Sequence, residues 1–200
     1  MIVAIDFGIT NTDVAVSNKS QDKFFSIPSK NANESSIDEI ISLIDIDITE
    51  ISQIVVTGGK SNELNESFKG VNLTKISETD AIGYGTKEIY KIENEPFITL
   101  SCGTGTACIH HQDGQFSYIG GIAVGGGTIS GLSKAILDSS SLEEITDLAL
   151  KGNRKNIDLL IGDVVNEIGI LNSNVTASNF AKLKNTNVFS KEDIDRKSVV

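Results

Sequence analysis

Three observations make this sequence an α/β fold with a mixed sheet. Continuous apolar runs rich in Ile and Val (Met1–Ile5, Ile54–Val56, Phe97–Leu100) have the length and composition of strands buried on both faces. Between them lie segments of helical spacing, clearest where Ile37, Ile40, Ile41 and Ile44 fall at i, i+3, i+4 and i+7. The order strand, turn, strand, strand, helix also occurs twice, once from Met1 and again from Phe97, with no close sequence repeat behind it. Pro96 marks the joint, so a first lobe is expected over 1–95 and a second over 96–200.

Taken in order, Met1–Ile5 is a strand punctuated by Gly8, and Asp13–Val16 and Phe24–Ile27 are two more. Ser36–Asp47 is an amphipathic helix, with Ser36 and Glu39 in capping-box spacing. Ile54–Val56 is a buried strand ended by Thr57-Gly58-Gly59. A short helical piece at Ser61–Phe68, a strand at Leu73–Ser77 and a helix at Glu78–Ile92 follow. In the second half Phe97–Ser101, Ala107–His111 and Phe116–Val124 read as strands and Ile129–Leu137 as a helix. Ser141 with Glu144 opens a helix over Leu142–Leu150, and Asp158–Glu167, Ala177–Leu183 and a start at Ser190-Lys191-Glu192-Asp193 are further helical candidates. Val199 and Val200 would sit in that last helix with no partner for their apolar face, so the sequence is expected to be cut short.

Composition narrows the function classes. A net charge of -10 argues against nucleic acid, whose phosphates are gripped mainly by Lys and Arg. The 2 cysteines, Cys102 and Cys108, fit neither a disulfide framework nor a zinc pattern, which points to a reducing compartment and to inert, packed thiols. There is no apolar run of about 18 residues and no signal-peptide pattern. A cytoplasmic protein with no membrane partner is the expectation.

The chemistry gathers at three glycine-containing turns. Asp6-Phe7-Gly8-Ile9-Thr10-Asn11-Thr12-Asp13 ends a strand on a carboxylate. Gly8 admits close backbone approach there, and short polar side chains follow. Such a turn can cradle phosphate oxygens, with Asp6 placed to hold Mg²⁺; a plain hairpin would use similar residues. Gly103-Thr104-Gly105-Thr106 repeats the arrangement. Gly125-Gly126-Gly127-Thr128 leads into a helix, whose N-terminus presents N–H groups and positive potential. Glu78, at a strand-to-helix junction, is the candidate general base, and Asp80 its rival. His110 and His111 are adjacent in a strand, point to opposite faces and cannot share a site.

Together these residues resemble the bacterial type II pantothenate kinases, of the actin/hexokinase-like ATPase superfamily. The resemblance rests on Asp6-x-Gly8-x-Thr10, Thr57-Gly58-Gly59, Glu78-x-Asp80-Ala81 and Gly103-Thr104-Gly105-Thr106, and on Gly120-Gly121 with the run Gly125-Gly126-Gly127 and Gly131-Leu132. Gly152-Asn153-Arg154-x-Asn156-x-Asp158-Leu159 and Thr176-Ala177-x-Asn179-Phe180 are its less generic parts. It implies a ribonuclease H-like/actin-like ATPase fold with two lobes of mixed sheets flanked by helices. It implies ATP and Mg²⁺ as cofactors, pantothenate or a similar small hydroxyl compound as acceptor, coenzyme A biosynthesis as the setting, and a homodimer. By resemblance Asp6, Gly8, Thr10, Asn11, Thr12, Asp13, Thr104, Gly126, Gly127, Thr128, Ile129 and Ser130 bind the nucleotide. Asp6 also holds the metal, Glu78 is the base, and Tyr118 and Gly121 face the acceptor. Where the family carries an arginine that helps bind pantothenate, this chain has Tyr118, which cannot grip a carboxylate bidentately. A related kinase with a different acceptor, and a weakly catalytic relative that binds nucleotide or acyl-CoA, stay open as alternatives.

Overall fold

The computed structural model describes residues 1–18, 21–139, 141–165, 172–185 and 188–199. They form two compact units, Met1–Ile122 and Ala123–Val200. The chain is α/β with a mixed sheet, as the sequence predicts.

In the first unit, β1 (Ile2–Phe7), β2 (Asn11–Ser17), β3 (Asp22–Pro28), α1 (Glu34–Leu43), β4 (Gln53–Thr57), β5 (Ser67–Phe68), β6 (Val71–Lys75) and α2 (Glu78–Tyr90) come first. The strands make one six-stranded sheet in the order β3-β2-β1-β4-β6-β5. β1 pairs with β4, and β4 with β6, in parallel; the remaining pairings are antiparallel. Val3, Ile5, Phe7, Val14, Val16, Ile54 and Val56 alternate onto one face and meet Ile37, Ile40 and Ile41 of α1 in the core. Each such side chain contributes about 1.5–3 kcal/mol when fully buried. The expected two-sided burial of β1 and β4 is not found: Ile2 and Asp6 on the opposite face are exposed, and Ala4 and Val55 are half-buried.

Helix α1 starts earlier than the capping-box spacing predicts. Asn33 is the N-cap, its side chain accepting the Ser36 N–H at 2.9 Å. Ser36 is buried within the helix, and Glu39 pairs with Lys30 at 2.7 Å instead of capping. The helix stops at Leu43 because Asp45 takes a left-handed φ of 54°. The expected helical piece at Ser61–Phe68 is only a 3₁₀ turn, Ser61–Glu63, followed by β5.

A second, antiparallel sheet joins β7 (Phe97–Cys102), β8 (Thr106–Gln112) and β9 (Gln115–Ile122) in that order. The expected lobe boundary at 95/96 falls inside the first unit, because α2 packs on this sheet. Thr99 donates to Thr86 at 3.1 Å, Tyr84 meets Phe116 edge-on at 4.8 Å, and a Cβ on Gly83 would collide with the Phe116 ring. His111 is buried and stacked on Phe97 at 4.7 Å. Cys102 is exposed, against the expectation of a packed thiol, because it sits on the outward face at the end of β7.

The second unit comprises α3 (Gly126–Leu137), α4 (Leu142–Lys151), β10 (Leu159–Leu160), α5 (Ile161–Val164), β11 (Thr176–Ser178) and α6 (Lys191–Val199). Leu137, Ile145, Ala149, Ile157 and Leu160 are its buried apolar residues. Gly152 lies against α6: a Cβ there would run into the Glu192 carbonyl and come within 2.8 Å of Arg196 Cβ. Asp158 is fully buried and takes the Phe180 N–H at 3.1 Å, the Thr176 hydroxyl at 3.0 Å and Lys197 Nζ at 3.1 Å. These contacts draw Thr176–Ser178 onto Leu159–Leu160 as an antiparallel pair, so that of the helices expected at Asp158–Glu167 and Ala177–Leu183 the described residues form only α5 and a 3₁₀ turn at Ala181–Lys184. The end of the first of those helices, at Glu167, lies outside the described residues. Among the described residues no helix is long and apolar enough to cross a membrane.

Candidate active site

The first turn is narrower than the sequence suggests. Asp6 is still in β1 and pairs with Asp13 of β2, and Phe7 pairs with Thr12, so only Gly8–Thr10 turn the chain. Gly8 is required there, since a Cβ would lie 2.6 Å from the Asn11 carbonyl. Ser29, which sequence reasoning missed, braces the turn by donating its hydroxyl to the Gly8 carbonyl at 2.8 Å. Its position just after β3 was the only signal.

Strand alternation separates the predicted phosphate ligands. Thr12 is fully buried and its hydroxyl accepts the Lys30 N–H at 2.9 Å, so its side chain faces away from the turn's open side. Thr10, Asn11 and Asp13 are exposed. Thr10 reaches the second turn directly: its hydroxyl lies 2.9 Å from that of Thr104. The second turn is tight, with the Gly103 N–H donating to the Gly105 carbonyl at 2.8 Å. The two predicted phosphate turns of this unit therefore come together.

Three carboxylates stand beside them. Although Asp6 keeps much of its surface exposed, partial desolvation of its carboxyl first, and then the charges of Glu78 and Asp13, push it above its ordinary value. Gly58 and Gly59 allow this packing. Both have positive φ, and a Cβ on Gly58 would overlap Asp6 Oδ1 and lie 2.9 Å from the Phe7 carbonyl. Glu78 is the first residue of α2, exposed beside the positive helix end. Its rival Asp80 is engaged in the cap: the Asp80 N–H donates to Ser77 Oγ at 3.1 Å, and the Ser77 hydroxyl donates to Asp80 Oδ2 at 2.7 Å. Of the two, Glu78 is the one not engaged in the helix cap.

Tyr118 and Gly121 lie in β9. The Tyr118 hydroxyl folds over Gly121, where a Cβ would collide with it and with the Thr106 carbonyl at 2.6 Å. In the second unit, Gly125 precedes α3, and Gly126, Gly127, Thr128, Ile129 and Ser130 form its first turns. The Thr128 hydroxyl donates to the Ala123 carbonyl at 3.0 Å and accepts the Gly125 N–H at 3.4 Å, so it caps its own helix.

What the first unit assembles is two touching polar turns, a carboxylate of raised proton affinity and a second carboxylate at a helix start. Chemically, that is an anion cradle with an acid–base group at its edge.

Residues 84–199 match the sequence model of a family described as Fumble. A type II pantothenate kinase of Bacillus anthracis is 33% identical over 187 residues, which take in 90% of this chain and 65% of that protein. One of Bacillus cereus is 35% identical over 189 residues, 90% of this chain and 66% of that protein. The chain thus spans just under two thirds of the length of these curated relatives. Among solved structures, the activator of the 2-hydroxyisocaproyl-CoA dehydratase from Clostridium difficile superposes with a TM-score of 0.54 at 16% identity, over 80% of this chain and 59% of that one. A protein of Porphyromonas gingivalis described as a candidate N-acetylglucosamine kinase gives 0.51 at 18% identity, over 76% of this chain and 61% of that one. These likenesses show the fold: the expected actin-like ATPase architecture, with mixed sheets flanked by helices.

Proposed function

Because the chain belongs to the Fumble family, we propose that it works as an ATP-dependent kinase on the primary hydroxyl of pantothenate, the first step of coenzyme A synthesis. The observation that carries this reading is the 2.9 Å contact of Thr10 with Thr104, which makes one cradle of two turns. In the reading, Gly8, Thr10, Asn11 and Thr104 receive the nucleotide phosphates. Gly126, Gly127, Thr128, Ile129 and Ser130 are kept as nucleotide contacts on the resemblance alone. Glu78 takes the proton from the acceptor hydroxyl. The freed oxygen bonds to the γ-phosphorus, the bond from that phosphorus to the bridging oxygen breaks, and ADP leaves with the electron pair.

Among the described residues no cluster of three or more His, Cys, Asp or Glu could hold a metal ion alone. Mg²⁺ needs no such cluster, since one or two carboxylates commonly hold it while phosphate and water complete the shell. Asp6, with Asp13 beside it, fits that role, and the bound ion would neutralise phosphate charge. The same reading includes a homodimer and a cytoplasmic setting, both resting on the resemblance to type II pantothenate kinases.

Tyr118 favours a second reading, a related kinase whose acceptor lacks a carboxylate. Its hydroxyl is neutral, where an arginine would ion-pair.

ADP release in the presence of ATP and Mg²⁺ tests both. The first reading expects a low rate that rises with pantothenate and is abolished in Glu78→Gln, while ADP binding persists in that variant. Release that ignores pantothenate but responds to the neutral alcohol pantothenol would support the second reading. Release that survives Glu78→Gln would remove Glu78 as the base.

A further inference from the structure

Cys102 and Cys108 stand on either side of the turn that carries Thr104, and strand register puts their side chains on one face of the sheet. Cys102, the last residue of β7, pairs with Thr106 of β8, and Cys108 pairs with Leu100. Directly opposed residues share a face, and so do residues two apart on one strand. The two thiols are therefore diagonal neighbours across the hairpin. Thr99 reaches toward α2, so the thiols lie on the face turned away from that helix. That face is open. Leu100 and Cys102 are exposed and Cys108 is half-buried. On its other side Cys108 pairs with Gly120, where a Cβ would meet nothing within 4 Å, so β9 brings no side chain over the thiol. Both cysteines are free thiols.

Diagonal neighbours in an antiparallel pair have Cα atoms about 7–8 Å apart, and a disulfide spans about 4.4–6.8 Å. Joining the two sulfurs therefore draws the strand ends together by roughly 1 Å. The hairpin can yield at two places. The β8–β9 register shifts between Cys108 and Ile109, an irregularity that interrupts the ladder beside the second thiol. Between the cysteines, the turn is built on Gly103 and Gly105 and closed by the Gly103 N–H on the Gly105 carbonyl at 2.8 Å. Thr104 is the tip of that turn, with its hydroxyl 2.9 Å from that of Thr10. A displacement of about 1 Å separates them, since side-chain hydrogen bonds are gone by about 3.6 Å.

We propose that Cys102 and Cys108 form a reversible oxidation site, a dithiol that a peroxide converts to a disulfide, and that this bond pulls Thr104 off Thr10 and opens the cradle. The exposed Cys102 sulfur attacks one oxygen of hydrogen peroxide. The O–O bond breaks, water leaves, and Cys102 becomes a sulfenic acid. The Cys108 sulfur then attacks the Cys102 sulfur. The S–S bond forms, the S–O bond breaks, and a second water carries away the oxygen. Two thiols and one peroxide thus give one disulfide and two waters, with sulfur oxidised and peroxide oxygen reduced. A small dithiol reverses the change by exchange. A bond made only under oxidant suits a pair whose resting state is the dithiol. The consequence for ATP rests on the kinase reading given above, whereas the bond and the movement of the turn do not.

The test treats the chain with hydrogen peroxide and follows intact mass, thiol alkylation, amide NMR and ATP affinity. The expected product is a single chain lighter by two hydrogens, with neither cysteine alkylated and with shifted amides at Thr10 and at Gly103, Thr104 and Gly105. Its affinity for ATP should fall at least tenfold, and dithiothreitol should reverse every change. Cys102→Ser and Cys108→Ser should each bind ATP as the reduced parent does and keep the Thr10 signal unmoved under peroxide. Oxygen adducts without loss of two hydrogens, a disulfide found only between chains, a Thr10 amide that ignores the bond, or a Thr10 shift that survives in Cys108→Ser would each overturn the proposal. A reduced chain that binds no ATP would instead sink the kinase reading, and the mass and the Thr10 amide would still decide the oxidation site.

Discussion

The side-chain hydroxyls of Thr10 and Thr104 lie 2.9 Å apart, although 94 positions separate them in the chain. Each belongs to a glycine-containing turn that follows a strand, and each hydroxyl can serve a phosphate oxygen as well as its neighbour. If both turns hold one ligand, the two residues act as a unit. Thr10→Val and Thr104→Val are each expected to weaken ATP binding about tenfold, or about 1.4 kcal/mol. The double variant should lose less than the sum, the coupling expected of residues in contact. Calorimetric titration of the four proteins closes the cycle; strictly additive losses would mean the turns bind independently.

Gly58 makes a second prediction. Its φ of 73° opposes any side chain, and so does the overlap that a methyl group at this position would make with Asp6 Oδ1. Gly70 has a comparable φ of 84° but open space around it. Gly58→Ala should therefore lower the urea midpoint more than Gly70→Ala. The left-handed backbone costs about 1–2 kcal/mol in either case, and only Gly58→Ala adds the steric conflict. Equal midpoints would show that Asp6 moves aside freely.

Asp6 gives a pH dependence. Its carboxyl holds a proton more tightly in the folded chain than in the unfolded one, through partial desolvation and then the nearby charges of Glu78 and Asp13. That preference favours the folded state fully below the ordinary carboxylate value, and it is lost as pH rises through the raised, folded one. At pH 7 the ionised group is a liability kept for its chemistry. Asp6→Asn is expected to be more stable than the parent at pH 7, to lose that advantage near pH 3, and to be inactive throughout. Urea unfolding across that range is the measurement, and an advantage that grows toward acid would reverse the assignment.

Much of this was legible in the residues themselves, for identifiable reasons. Asp6, Gly8, Thr10 and Thr104 announce their turns because glycine and short polar residues after a strand have few other uses. The core of α1 was legible because Ile37, Ile40 and Ile41 repeat at helical spacing. The facing of Thr12 is not legible without register: pairing with Phe7 puts it on the core face. Capping-box spacing points to Ser36, but Asn33, three residues earlier, offers an equivalent oxygen and takes the cap. The pairing of Leu159–Leu160 with Thr176–Ser178 is not legible locally. Their path is set by one buried carboxylate, Asp158, whose partners come from residues 18 to 39 positions further along.

That carboxylate supports the last prediction. Asp158 is fully buried, with Lys197 Nζ at 3.1 Å, Arg154 Nη1 at 3.8 Å, and hydrogen bonds from Thr176 and the Phe180 amide. Removing it strands a mostly buried ammonium and an amide N–H at once. Loss of one partner of a buried pair costs about 3–5 kcal/mol. Lys197→Met leaves a carboxylate that keeps its two hydrogen bonds and its approach to Arg154, so it should cost less than Asp158→Ala. Phe180 sharpens the comparison, since its φ of 58° is unfavourable for a non-glycine residue and is held by the bond to Asp158. In Asp158→Ala that restraint is gone, and Phe180→Gly in the same background should restore part of the stability. The effect belongs to the second unit. Amide exchange in Asp158→Ala should lose protection at Ile145, Ala149 and Ile157 while Val3, Ile5 and Ile54 keep theirs. Uniform loss across both sets would make the two units one cooperative block, and unchanged exchange would mean that Asp158 holds nothing the rest of the unit cannot.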